Sequence, residues 1–216
     1  MHIAILGGGG AVAQRIAGEA LARGHRVTAV VRDPATFTPY DDRLRVVQGD
    51  ATDAASVARA VRGADAVVNA ISPRPSPTGR PASSLADAAR AVIAGARQAG
   101  VKRLVVVGGA SSLEVAPGVR LFDAPDFPAA YKDEARQGIE SFEVYRNEAG
   151  DLDWTYLSPA AEIAPGERTG RYRTTGDRLL TDAAGASRIT HEDYAVALVD
   201  ELEQGKHVRQ RFGVAY

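Results

Sequence analysis

The stretch His2-Ile3-Ala4-Ile5-Leu6-Gly7-Gly8-Gly9-Gly10-Ala11-Val12-Ala13-Gln14-Arg15-Ile16 decides how the rest of the chain is read. An apolar run of strand length meets four glycines. The residues after them take up helical spacing, with Ile16, Ala20 and Leu21 on one face of Ala11–Arg23. A glycine at such a turn permits positive φ, and a second removes the side chain where a pyrophosphate approaches the backbone. The following helix presents unpaired N–H groups and the positive end of its dipole to that anion. Gly7, Gly8, Gly9, Gly10, Ala11 and Val12 are therefore the candidate phosphate cradle. Two registers fit, Gly7-Gly10-Ala13 or Gly8-Gly10-Ala13, and in both Ala13 is the small residue that lets helix and strand pack closely. A plain flexible turn is the competing reading, but the strand–turn–helix setting favours a bound dinucleotide. No Gly-Lys-Ser/Thr follows, which excludes a P-loop.

Beyond this point short β-branched runs alternate with helical stretches. Strands are expected at Arg26–Val31, Leu44–Gln48, Ala64–Ile71 and Arg103–Val107. Helices are expected at Asp53–Arg62, capped by Thr52 or Asp53, and at Ser84–Gly100, with a Pro-rich loop over Ser72–Pro81. Strands apolar on both faces and alternating with helices specify a doubly wound α/β fold around a parallel sheet. The second half is less regular. It reads as a loop over Ser111–Ala130, a helix over Tyr131–Ala149, a sixth strand at Trp154–Leu157, a helix over Glu192–Glu203 and a last strand at Arg211–Val214. We expect one domain over residues 1–216, with 159–190 forming a small cap.

Composition narrows the function classes. The 216 residues are 45% hydrophobic and 25% charged, ordinary for a soluble globular protein. A formal net charge of -1 gives no electrostatic reason to bind nucleic acid or an anionic membrane. The absence of cysteine excludes disulfides, thiolate nucleophiles and thiolate-held metals. His2, His25, His191 and His207 are scattered, so no metal site is expected. The chain starts without the features of a signal peptide, and no apolar run approaches the roughly 20 residues of a membrane span. The expectation is a cytoplasmic protein, monomeric or homodimeric, acting on a small molecule.

The strand ends supply the remaining candidates. In such folds an acidic residue ending the second strand hydrogen-bonds the adenosine ribose of NAD. Here the strand exits through Arg32, whose guanidinium can pair with a 2′-phosphate and favours NADP, while Asp33 beside it leaves NAD open. Asp50, followed by Ala51, can accept from the adenine amino group or cap the next helix. Ala70, Ile71 and Ser72 end the fourth strand, at the crevice a dinucleotide crosses. Ser111 follows the fifth strand and can hydrogen-bond a carboxamide or a substrate carbonyl, or merely cap its loop.

Gly7-x-x-Gly10-x-x-Ala13, Val31-Arg32, Gly49-Asp50-x-x-Asp53 and the serine-bearing end of the fifth strand resemble an atypical short-chain dehydrogenase/reductase. More narrowly, the chain resembles the NAD(P)H-binding proteins of the NADH-flavin reductase and biliverdin reductase B type. Leu113–Gly118, Asp151–Pro159 and Ser187–Ala195 sharpen the match, which runs essentially end to end. The resemblance implies a Rossmann-like fold with a small C-terminal substrate cap, and it places Pro159 beside the nicotinamide.

The tyrosine–lysine pair by which many short-chain dehydrogenases protonate a ketone is missing. Four residues after Tyr131 stands Ala135, and four after Tyr145 stands Ala149. Hydride transfer to a conjugated acceptor needs less acid–base help, because solvent can protonate the product. His191 can protonate a substrate or be a capping or surface residue; Tyr194 reads as core. Arg168, Arg171 and Arg173 form either a basic rim for a flavin phosphate or a solvated hairpin face. The resulting reading is an NAD(P)H-dependent oxidoreductase that passes hydride to a flavin or similar conjugated small molecule, with FMN or FAD as substrate rather than tightly held cofactor. The alternative is an NmrA-like redox sensor that binds dinucleotide without turnover.

Overall fold

Residues 3–6 of the first strand are all buried, yet they divide between two cores: Ile3 and Ile5 join one, Ala4 and Leu6 the other. A strand whose alternate side chains are both covered lies between two helical layers. The structure, a computed structural model, describes residues 1–72 and 84–216. Its strands are β1 His2–Leu6, β2 Arg26–Val31, β3 Leu44–Gln48, β4 Ala66–Asn69, β5 Arg103–Val107, β6 Glu114–Ala116, β7 Val119–Arg120, β8 Asp153–Ser158, β9 Glu162–Ala164, β10 Arg173–Thr175, β11 Arg188–Thr190 and β12 Gln210–Ala215. Its α-helices are α1 Ala11–Ala22, α2 Ala54–Ala60, α3 Leu85–Ala99, α4 Lys132–Glu148 and α5 His191–Gln204. All but Ser72 of the Pro-rich loop falls outside the described residues.

Eight strands form one sheet in the order β10-β12-β8-β5-β4-β1-β2-β3, parallel throughout except for β10, which pairs antiparallel with β12. This is the doubly wound, Rossmann-like α/β architecture. On one face Ile16, Ala20, Leu198 and Leu202 bring α1 and α5 onto Ile3, Ile5, Leu157 and Phe212. On the other, Val57, Val92, Ile93 and Tyr145 bring α2, α3 and α4 onto Ala4, Leu6, Leu104 and Tyr156. Burying each Val, Leu or Ile contributes roughly 1.5–3 kcal/mol, and together they set the register of the layers.

Two local departures from the expected elements have plain causes. The fourth strand contracts to four residues: Ala64 N–H closes the turn after α2 on Val61 O (3.0 Å), and Ile71 N–H turns onto Asn69 Oδ1 (3.3 Å). The Ser111–Ala130 segment is not simply a loop. Gly118, at φ 74°, turns the chain between β6 and β7.

Buried acids fasten the 159–190 segment. Asp193, fully buried in the first turn of α5, accepts from Thr169 Oγ1 (2.6 Å), Gly170 N (2.7 Å) and the Tyr216 hydroxyl (2.7 Å). Burial pushes its carboxyl up, but these hydrogen bonds outweigh that and hold its pKa below the ordinary range. Glu19 of α1 accepts from Arg168 Nε (2.7 Å) and Arg23 Nε (2.8 Å). Arg173 donates to the Thr181 and Tyr216 carbonyls. Arg168 and Arg173 are thus committed to holding the segment in place.

Candidate dinucleotide-binding site

Because the central strands are parallel, the ends of β1, β2, β3, β4, β5 and β8 open on one edge of the sheet. Chain order reverses between β1 and β4, and a crevice lies outside the sheet at such a switch point. Gly7 and Gly8 are glycine because the fold demands it. Gly7 has φ +75°, and a β-carbon there would stand 2.8 Å from Ala70 O. One on Gly8 would stand 2.8 Å from Ala29 Cβ. Gly9 and Gly10 differ. The nearest atoms a β-carbon would meet are Val31 Cγ1 at 4.0 Å and Gly7 O at 3.3 Å, so packing leaves room for a side chain at Gly9 and nearly so at Gly10.

Their bareness exposes the start of α1. Side chains of Asp53, Ser84 and Thr190 cap α2, α3 and α5, whereas α1 has Gly10 at its N-cap, no side-chain cap and no acid in its first turn. Ala11 is exposed, and Val12 is half-buried against the α1–α5 core. A bare, uncapped helix start that a β-carbon would intrude upon fits the pyrophosphate of a dinucleotide.

The neighbouring strand ends extend this cradle. Arg32 is exposed; its carbonyl accepts from Gln48 Nε2 (3.1 Å), and its guanidinium has no hydrogen bond or ion pair among the described residues. Asp33 is occupied locally, accepting from Ala35 N–H (3.0 Å) to cap the Pro34–Thr36 turn. Asp50 is exposed beyond β3 and accepts from Thr52 N–H (2.9 Å) and Thr52 Oγ1 (2.7 Å). Helix capping there falls to Asp53, not Asp50. Ala51, Ala70 and Ile71 are half-buried and Ser72 is exposed. Behind them Asn69 donates to the buried Tyr145 hydroxyl (2.7 Å), fixing the end of β4.

Further along the edge, Ser111 is buried and donates to Ala135 O at the start of α4 (3.3 Å), and among the described residues its hydroxyl oxygen accepts no hydrogen bond. Ser112 accepts from Arg211 Nη1 at both its carbonyl (3.0 Å) and its hydroxyl (2.8 Å), which pins the loop to β12. Pro159 is buried after β8, and the preceding Ser158, 0% exposed, has a hydroxyl without a partner among the described residues. The tyrosines nearby are committed. Tyr194 donates to Leu157 O (2.7 Å) and Tyr156 to Gly138 O (3.2 Å). Burial raises the pKa of Tyr145 and Tyr194 and pushes Tyr156 up to about 12.

His191 is the first residue of α5, after the capping Thr190, and not a cap itself. Glu192 next to it bridges to Arg15 Nε (3.1 Å) and Gly166 N–H (2.8 Å), which sets the start of α5 beside α1. The His191 Nδ1 is buried without a partner among the described residues. Burial, then the Arg15 guanidinium, lower its pKa against the opposing pull of Glu192. That shift favours the neutral, hydrogen-bonding form of the ring. Sequence reasoning missed two contributors: Asp193, which looked like an ordinary first-turn acid, and Gln14, whose amide donates to Gly9 O (3.1 Å).

The chain is similar along its whole length to proteins of solved structure. A protein of Burkholderia pseudomallei, named provisionally as an exported protein, is 47% identical with a TM-score of 0.88, and both chains are covered in full. One of Bacteroides thetaiotaomicron, named provisionally as an epimerase, is 37% identical at TM-score 0.90 over 100% of this chain and 96% of that one. A third, of Streptococcus pneumoniae and named provisionally as an NADH-flavin reductase, is 31% identical at TM-score 0.84 over 100% and 99%. No described helix is long and apolar enough to cross a membrane. The family model described as NAD(P)H-binding matches residues 7–205, which take in the glycine turn and every strand end just described, and the chain belongs to that family.

Proposed function

We propose that this protein is an NAD(P)H-dependent oxidoreductase that passes a hydride to a flavin or a similar conjugated small molecule, with NADP(H) preferred over NAD(H). When bound, the dinucleotide supplies the hydride; the chain supplies binding, orientation and exclusion of water. The backbone around Gly9, Gly10, Ala11 and Val12 holds the pyrophosphate. Arg32, whose guanidinium has no partner among the described residues, takes the 2′-phosphate, and Asp50 with Ala51 walls the adenine. Ala70, Ile71 and Ser72 lie along the ribose, while Ser111 and Pro159 flank the nicotinamide end. His191 offers a neutral hydrogen-bonding group from α5.

The commitment of the tyrosines carries the choice of acceptor. Buried Tyr145, Tyr156 and Tyr194 have hydroxyls tied to Asn69 or to carbonyls and pKa values raised by burial. Tyr131 is 60% exposed and has Ala135, not lysine, one helical turn on. A ketone reductase needs a poised proton donor; a conjugated acceptor takes its proton from solvent. The provisional name of the Streptococcus pneumoniae relative supports a flavin. The reading carries with it one cytoplasmic domain capped by residues 159–190, monomeric or homodimeric, with flavin entering and leaving as substrate. NADPH oxidation by the purified protein across a panel of flavins and quinones tests it. Acceleration of FMN or FAD reduction supports it, and tight NADPH binding with no accelerated acceptor points to a sensor.

A further inference from the structure

Consecutive glycines give a phosphate cradle its open backbone, and they also give it freedom to collapse. A peptide between two residues without β-carbons flips readily, and a flip would turn a carbonyl oxygen toward the anion. In this chain the Gly9–Gly10 peptide is held at both ends. Gly10 N–H donates to Gly7 O (2.9 Å), and Gly9 O accepts from the side-chain amide of Gln14 (3.1 Å). Gln14 is itself placed by α1, where its N–H donates to Gly10 O (3.0 Å), and its carbonyl accepts weakly from the Tyr40 hydroxyl (3.4 Å). Gln14 is half-buried on α1 and, among the described residues, belongs to neither hydrophobic core.

We propose that Gln14 is a positioning residue for the dinucleotide. By drawing Gly9 O onto the flank of α1, its amide locks the Gly9–Gly10 peptide in the orientation that keeps that carbonyl oxygen turned away from the cradle's face. The binding cost of ordering that peptide is thereby met before the ligand arrives. This rests on the assignment of the glycine turn to the pyrophosphate.

The test compares wild type with Gln14→Met, which keeps length and helix propensity but has no donor, and with Gln14→Glu, whose carboxylate repels Gly9 O. Calorimetry with NADPH and with adenosine 2′-monophosphate, which lacks the pyrophosphate, is paired with NMR exchange measurements on the Gly9 and Gly10 amides of the free protein. Losing one neutral hydrogen bond corresponds to about a three- to tenfold weaker NADPH affinity in Gln14→Met. A larger loss is expected in Gln14→Glu. Adenosine 2′-monophosphate affinity and thermal midpoint should hold in both, and exchange broadening should appear at Gly9 and Gly10 only in the variants. Equal NADPH affinity and equally sharp glycine amides in Gln14→Met overturn the clamp while leaving the site assignment standing. Wild type that binds adenosine 2′-monophosphate and NADPH equally overturns the pyrophosphate assignment, and the clamp with it.

Discussion

A β-carbon on Gly7 would stand 2.8 Å from the carbonyl oxygen of Ala70, so the ends of β1 and β4 approach each other closely enough that only glycine fits. That contact fixes the floor of the crevice at which the chain order of the sheet reverses. Everything assigned to the dinucleotide is arranged around it, with Arg32 and Asp50 to one side and Ser111 and Pro159 to the other.

Gly10→Val separates binding from folding. Gly10 has φ −73° and ψ 153°, extended values that a β-branched residue adopts, and its nearest neighbour for a β-carbon is Gly7 O at 3.3 Å. The variant should fold with a thermal midpoint within a few degrees of wild type, while calorimetry detects no NADPH binding because the side chain fills the cradle. Unchanged affinity would remove Gly10 from the site.

Arg32→Ala reads cofactor choice. Removal of a guanidinium that pairs with a phosphate should weaken NADPH by roughly 1.5–3 kcal/mol and leave NADH nearly untouched. Stability should not change, since the guanidinium has no partner among the described residues to lose. Equal losses for both dinucleotides would show that Arg32 does not read the 2′-phosphate.

The order of elements and the glycine turn were legible because they rest on local signals: runs of Val, Ile and Ala, a glycine cluster, and capping residues such as Asp53 and Ser84. β3 and β5 fall on the expected residues for this reason. The contacts that fasten the 159–190 segment were not legible. Glu19 and Arg168 are 149 residues apart, as Thr169 and Asp193 are 24, and no periodicity links partners whose pairing depends on how α1 and α5 pack. Two glycines required by packing and two left bare also look alike in sequence; only Ala70 and Ala29 tell them apart.

Glu19→Gln tests the fastening of the 159–190 segment through pH. The hydrogen bond from Arg168 lowers the Glu19 pKa most; burial opposes it, and Arg23 adds to the lowering. A carboxylate depressed by folding stabilises fully above its ordinary unfolded value, and that stabilisation fades as pH falls through the lowered folded value. Urea unfolding at pH 7 should show a loss of about 1–2 kcal/mol, discounted for the exposure of Arg168. The gap between wild type and variant should close at acid pH, below the ordinary glutamate range. A gap independent of pH would contradict the ion-pair account.

Ser111→Ala addresses orientation at the nicotinamide end. Its hydroxyl proton goes to Ala135 O, so its role toward a ligand is as acceptor. Turnover should fall about ten- to a hundredfold, about 1.4–2.7 kcal/mol, with little change in NADPH affinity. Full activity in the variant would exclude Ser111 from the chemistry.

Steady-state NADPH oxidation by the wild-type protein, with FMN and FAD as acceptors and NADH as the competing donor, tests the central claim most directly. The account predicts flavin reduction faster than the uncatalysed reaction and a higher kcat/KM for NADPH than for NADH. Calorimetry showing that NADPH binds tightly, together with no flavin or quinone reduced above the uncatalysed rate, would contradict it.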